Sequence, residues 1–121
     1  MLKNILLVGV GSSIGGILRY ATTLLIKNTS FPYATLFVNI IGSFFIGLIF
    51  AYSLKNEHNQ EQIKLFFATG ICGGFTTLSA FSVENMQLLK SENYTTAFLY
   101  ITLSITLSLL AVFAGYKLIN F

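Results

Sequence analysis

The sequence predicts an all-α integral membrane protein with four transmembrane helices, the third broken at mid-membrane. Three observations lead to that fold. Of 121 residues, 55% are hydrophobic and only 9% charged, with a mean hydropathy of +0.77, a composition that excludes an ordinary soluble domain. Four stretches carry no charge or nearly none: Ile5 to Ile26 with a single arginine, Asn28 to Leu54, Leu65 to Val83, and Asn93 to Tyr116. Each meets the roughly 20 residues that a bilayer core demands. The flanks are Lys3, Lys27, Lys55, Lys64, Lys90 and Lys117, where snorkelling ammonium groups mark the membrane interfaces. Spans are therefore expected at about residues 4–26, 32–54, 63–89 and 94–119, in one membrane domain covering 1–121.

In the first span, Gly11 and Gly15 form a small-xxx-small pair with Ser12 and Gly16 beside them, a surface for close helix contact. The same stretch superficially matches a dinucleotide-binding turn. Ile14 stands where the third glycine belongs, and no strand-helix-strand unit surrounds it. Arg19 is the sole charge inside this span, either drawing anions toward a vestibule or snorkelling to the headgroups. No cleavage site follows the N-terminal apolar run, so the helix is expected to be retained.

The second span carries Asn39 and Ser43 four residues apart on one face, with Gly42 and Gly47 as packing positions. An amide near the membrane midplane either donates to an anion or makes an interhelical hydrogen bond. The loop from Lys55 to Lys64, with Glu57, His58 and Glu61, is too short for a soluble module.

The third span contains the run Gly73-Gly74-Phe75-Thr76-Thr77, which is expected to interrupt the helix at mid-depth. Glycine and threonine lower helix propensity, and carbonyls released there need a partner that lipid does not provide. An ion, a partner chain or a water-filled path can supply it, as can Thr hydroxyls at a plain packing kink. Cys72 has no cysteine or histidine nearby and reads as a small packing residue. In the fourth span Tyr100, Ser104 and Ser108 repeat every four residues, a hydroxyl stripe that lines a path or satisfies neighbouring carbonyls.

Several chemistries are missing. The spans contain no pair of carboxylates, no nucleophile-base arrangement and no metal-ligand cluster, which argues against an enzyme. Glu84, at the end of the third span, suits a mouth position, and nothing else offers proton coupling, so a passive pore is favoured over a pump. The net charge of +3 is spread singly over helix ends, which speaks for membrane anchoring and against nucleic acid. Lys3, Lys55, Lys64 and Lys117 on one side face Arg19, Lys27 and Lys90 on the other, a bias too weak to choose an orientation. Dual topology and an antiparallel homodimer are expected.

Three motifs then add up: Gly16-Ile17-Leu18-Arg19-Tyr20, Asn39-Ile40-Ile41-Gly42-Ser43-Phe44, and the run from Gly70 to Ser82 that includes Gly73-Gly74-Phe75-Thr76-Thr77-Leu78-Ser79. In this order, with four spans, they resemble the CrcB/Fluc family of fluoride channels over essentially the whole chain. The resemblance implies a fluoride-selective passive channel in the bacterial inner membrane that lowers cytoplasmic fluoride. It also implies two narrow pores in an antiparallel homodimer, with a structural sodium ion (Na+) held at the centre by backbone carbonyls of Gly73 and Thr76 from both copies. By position, the fluoride path comprises Asn39, Leu78, Ser79, Phe81, Tyr100, Ser104 and Ser108, and Arg19 belongs to the vestibule. Two departures stand out: Leu78 replaces the first of two pore phenylalanines, and Ala80 replaces a threonine. A small four-helix proton-coupled multidrug exporter is the alternative, although such exporters need a glutamate in the first helix, where this chain has only Arg19. A non-transporting membrane scaffold is the other.

Overall fold

The computed structural model describes residues 1–27 and 29–119. Asn28, the first residue of the second charge-poor stretch, and Asn120 and Phe121, at the end of the expected domain, lie outside the described residues. Helix α1 spans Leu2–Leu25 and α2 spans Tyr33–Leu54. The third crossing begins as α3, Gln60–Ile63, widens into a π-helix over Lys64–Cys72, and closes with one further α-helical turn, α4, at Gly73–Phe75. After an interruption, α5 runs over Leu78–Lys90, and α6 spans Tyr94–Ile119. Four helical segments, Leu2–Leu25, Tyr33–Leu54, Gln60–Lys90 and Tyr94–Ile119, are long and apolar enough to cross a membrane.

Lipid supplies no hydrophobic drive for helix association, so the bundle is held by close backbone approach. Where α2 meets α6, Gly47 lies against the Val112 carbonyl and Gly115 against the Phe44 carbonyl, closer than any side chain allows. Where α1 meets the π-helix, Gly11 and Gly15 lie at the contact, against Phe66 and Ile71 carbonyls. The interior is correspondingly made of small groups, Ala34, Val38, Ala51, Ala68, Cys72 and Ala97, together with Tyr100. Large apolar residues such as Ile17, Phe98, Leu110 and Phe113 point outward, the inverse of a soluble fold.

The third crossing is interrupted later than its glycines suggest. Gly73–Phe75 stay helical, and the chain opens at Thr76, with ψ 156°, and Thr77, with φ −150° and ψ 120°. Gly74 serves close packing instead: a Cβ there would sit 2.5 Å from the Ser12 carbonyl oxygen of α1. The threonine hydroxyls bond the backbone on either side of the break, the first at a carbonyl that keeps its helical bond from Thr76 N at 2.9 Å, the second in place of a backbone acceptor. Thr76 Oγ1 donates to the Cys72 carbonyl at 2.9 Å, and Thr77 Oγ1 caps α5 by accepting from Ala80 N at 3.1 Å.

Between α5 and α6 the chain reverses through Glu92, the only non-glycine residue with positive φ among those described, at 62°. Glu92 N donates to Leu89 O at 3.1 Å and Asn93 N to Leu88 O at 2.8 Å, the paired bonds of a Schellman motif. Its left-handed position favours glycine. Glu92→Gly is expected to stabilise the protein by about 1 kcal/mol, read as a higher thermal midpoint in detergent.

Candidate functional site

Helix α2 presents Thr35, Asn39 and Ser43 at four-residue intervals, and Asn39 meets the interruption of the third crossing. Its Oδ1 accepts from Thr77 N at 2.8 Å, and its Nδ2 donates to Thr77 O at 3.1 Å. The side-chain amide thus pairs with one residue's backbone at two points, as a neighbouring strand would. An amide nitrogen carries two N–H groups, so one donor remains after this clasp.

Asn39 lines a groove of about 400 Å³ together with Thr76, Leu78, Phe81, Ser104 and Ser108, among others. Four elements contribute: α2, the extended link at Thr76 and Thr77, the first turns of α5, and the middle of α6. Ser104 is 6% exposed, and its hydroxyl has no hydrogen-bond partner among the described residues. A mid-helix serine ordinarily bonds back to a carbonyl one turn earlier, as Ser13 and Ser82 do here. Ser104 does not, and its hydroxyl remains a buried donor in the groove wall. Ser108, one turn on, is half-buried, and Leu78 is 76% exposed at the rim. The N-terminal end of α5, with its partial positive charge and with Ala80 N capped by Thr77 Oγ1, also lies at this wall.

Tyr100 occupies a different position from the one its stripe with Ser104 and Ser108 suggests. It is fully buried, its ring packs against Phe81 at 5.0 Å and Phe31 at 5.4 Å, and its hydroxyl donates to Glu84 Oε1 at 2.8 Å. Thr35 Oγ1 donates to Glu84 Oε2, also at 2.8 Å. Glu84, which its sequence position suits to a mouth, lines a cavity of about 180 Å³ with Thr29, Ser30 and Gln87 and is occupied by both hydroxyls. It is a half-buried acceptor of two hydroxyls, joining α2, α5 and α6.

Arg19 lines a separate cavity of about 210 Å³ with Thr35, Thr77 and Ala80. Thr77 borders both this cavity and the groove. Ser79 is exposed, with its hydroxyl 3.1 Å from Thr77 Oγ1, and does not line the groove. Gly73 is exposed, on an open face where an added Cβ would meet only the Ala68 carbonyl, at 3.7 Å. Sequence reasoning passed over Thr35 and took Thr77 only as part of the interrupting run. Thr35 was detectable as the third member of the Asn39 and Ser43 face, and Thr77 as a cap residue preceding a helix.

Comparison with known proteins shows which family the chain resembles. Residues 6–116 match the family model described as CrcB-like protein, Camphor Resistance (CrcB). Proteins named fluoride-specific ion channel FluC are similar along their whole length. That of Azobacteroides pseudotrichonymphae is 48% identical, covering 100% of this chain and 99% of that protein. That of Flavobacterium psychrophilum is 48% identical over 94% of each chain. Fluoride-specific ion channel FluC 1 of Listeria innocua is 42% identical over 98% of each. A four-span chain whose third crossing opens beside an amide clasp and a buried serine donor, and which matches these proteins from end to end, belongs to the CrcB family.

Proposed function

We propose that this protein is a passive, fluoride-selective channel of the bacterial inner membrane, working as an antiparallel dual-topology homodimer. The observation that carries the reading is the unpartnered Ser104 hydroxyl, buried in the wall of a groove that Asn39 and Phe81 also line. A small anion is the ligand such a wall suits. It offers hydrogen-bond donors and the positive edge of an aromatic ring, and no charged side chain lines it. Fluoride holds water more tightly than chloride, so selectivity requires a passage narrow enough to strip hydration, with donors placed to replace it. Ser104, Ser108 and Asn39 supply these donors, and Phe81 supplies the ring edge. Leu78, where the resemblance implies a phenylalanine, leaves one aromatic edge rather than two.

Glu84 keeps the Thr35 and Tyr100 hydroxyls occupied, and through Tyr100 it holds the Phe81 ring in place. Arg19 gathers anions in its vestibule by charge. With the cytoplasm negative, each fluoride leaving gains about 2.3 kcal/mol per 100 mV, so export needs no coupled proton or nucleotide. The protein acts as a conduit rather than a catalyst.

A second copy covers the face on which the third crossing opens. Leu18, Phe45, Phe67 and Phe75 border an apolar recess of about 250 Å³ there. The Gly73 and Thr76 carbonyls, doubled by an antiparallel copy, give four hard oxygen donors, a set that fits a sodium ion. When bound, the ion fixes positive charge at the centre of the dimer.

The test is flux from liposomes containing the purified protein, with potassium and valinomycin carrying the compensating charge. Rapid fluoride efflux with negligible chloride efflux, lost in Phe81→Ile, is the expected result. Folded dimers that pass no fluoride, or pass chloride equally, overturn the reading.

A further inference from the structure

In an α-helix each carbonyl accepts from the N–H four residues on. The natural donor for Gly73 O is Thr77 N, and for Thr76 O it is Ala80 N. Neither makes that bond. Thr77 N donates to Asn39 Oδ1 at 2.8 Å, and Ala80 N donates to Thr77 Oγ1 at 3.1 Å. Two side chains thus intercept the two N–H groups that would otherwise close these two carbonyls, and among the described residues no other backbone N–H across the break takes their place.

The neighbouring contacts keep the interception in place. Asn39 Nδ2 also binds Thr77 O at 3.1 Å, so the amide cannot rotate away without losing both bonds. Thr76 turns its hydroxyl to Cys72 O and seats its methyl on Gly42. Thr77 is 8% exposed, shielded from solvent that would compete for its hydroxyl.

We propose that Asn39 and Thr77 are positioning residues for the central cation: by capturing Thr77 N and Ala80 N, they keep the Gly73 and Thr76 carbonyls free to coordinate it. This rests on the sodium reading above and adds to it. Asn39 serves both the anion groove and the cation site, which couples the two across one amide. Without either capture, the released N–H returns to its carbonyl as the helix closes, and sodium must displace an intrahelical bond.

Thermal unfolding of the detergent-solubilised protein, titrated with sodium against N-methylglucamine at constant ionic strength, tests this without measuring flux. Wild-type protein is expected to be stabilised by sodium. Asn39→Ala and Thr77→Val are each expected to raise the half-maximal sodium concentration by about tenfold, the scale of one lost hydrogen bond. Thr77→Ser, which keeps the capturing hydroxyl, is expected to stay within about twofold of wild type. If Asn39→Ala does not fold, the Thr77→Val and Thr77→Ser pair decides alone. A wild-type protein indifferent to sodium overturns the sodium reading and this inference with it. A sodium-responsive wild type whose Thr77→Val variant has a lower midpoint but an unchanged half-maximal concentration overturns the inference alone and leaves the residue a plain helix cap.

Discussion

Gly15→Ala is expected to destabilise the protein severely, although it adds one methyl group. A Cβ at Gly15 would collide with the Ile71 carbonyl and lie 2.8 Å from Phe75 N, all backbone atoms that no rotamer change can move. The helix must shift as a body, which costs about 1–3 kcal/mol or more where packing is tight. The displacement also falls next to the link at Thr76 and Thr77, so flux is expected to fall along with stability. Gly9 and Gly16 are the controls, since a Cβ at either meets nothing within 4 Å. Their alanine variants are expected to be neutral or stabilised by about 1 kcal/mol through higher helix propensity. Thermal midpoints and the dimer fraction in detergent distinguish the cases, and equal midpoints for Gly15→Ala and Gly16→Ala would show that α1 is not locked to the π-helix.

The contrast among these glycines marks what was legible in the sequence. Spacing identified Gly11 and Gly15 as a contact surface, because small residues four apart share a helix face. It did not show that the partner is a π-helix, since Lys64–Cys72 carries no composition that separates π from α. The interruption was legible as a region and misplaced in detail. Glycine pairs lower helix propensity, but in this bundle Gly74 is used for close approach to Ser12, and the chain opens at Thr76 and Thr77, where Thr77 Oγ1 caps the helix that follows. Asn39 was legible as a buried amide with two possible uses, and the structure gives it the interhelical one while leaving a donor over. Position along the span suited Glu84 to a mouth but did not show what faces it. Its partners, Thr35 and Tyr100, lie 49 and 16 residues away in sequence. Period-four reasoning groups residues on one helix and is blind to a partner on another. For the same reason Tyr100 shares a stripe with Ser104 yet spends its hydroxyl elsewhere.

Ser104→Ala separates transport from stability, and the two effects have different expected signs. A buried hydroxyl without a partner is a cost to the fold, so its removal is expected to leave the thermal midpoint unchanged or slightly raised. For a dehydrated anion in the groove, the same hydroxyl is a donor to a full charge, worth about 1.5–3 kcal/mol. Its loss is expected to slow fluoride efflux by roughly 10- to 100-fold, at about 1.4 kcal/mol per decade. Ser104→Thr retains a donor and is expected to recover part of the flux. Ser108→Ala removes a half-buried hydroxyl that water can replace, so its effect is expected to be smaller. Fluoride-electrode recordings from liposomes matched for protein content, set beside unfolding curves of the same preparations, read both quantities. Unchanged flux in Ser104→Ala would remove the hydroxyl from the ion path, and flux loss accompanied by a lowered midpoint would make it a packing residue. Reduced flux from a protein at least as stable as wild type is the outcome that a donor reserved for a passing anion requires.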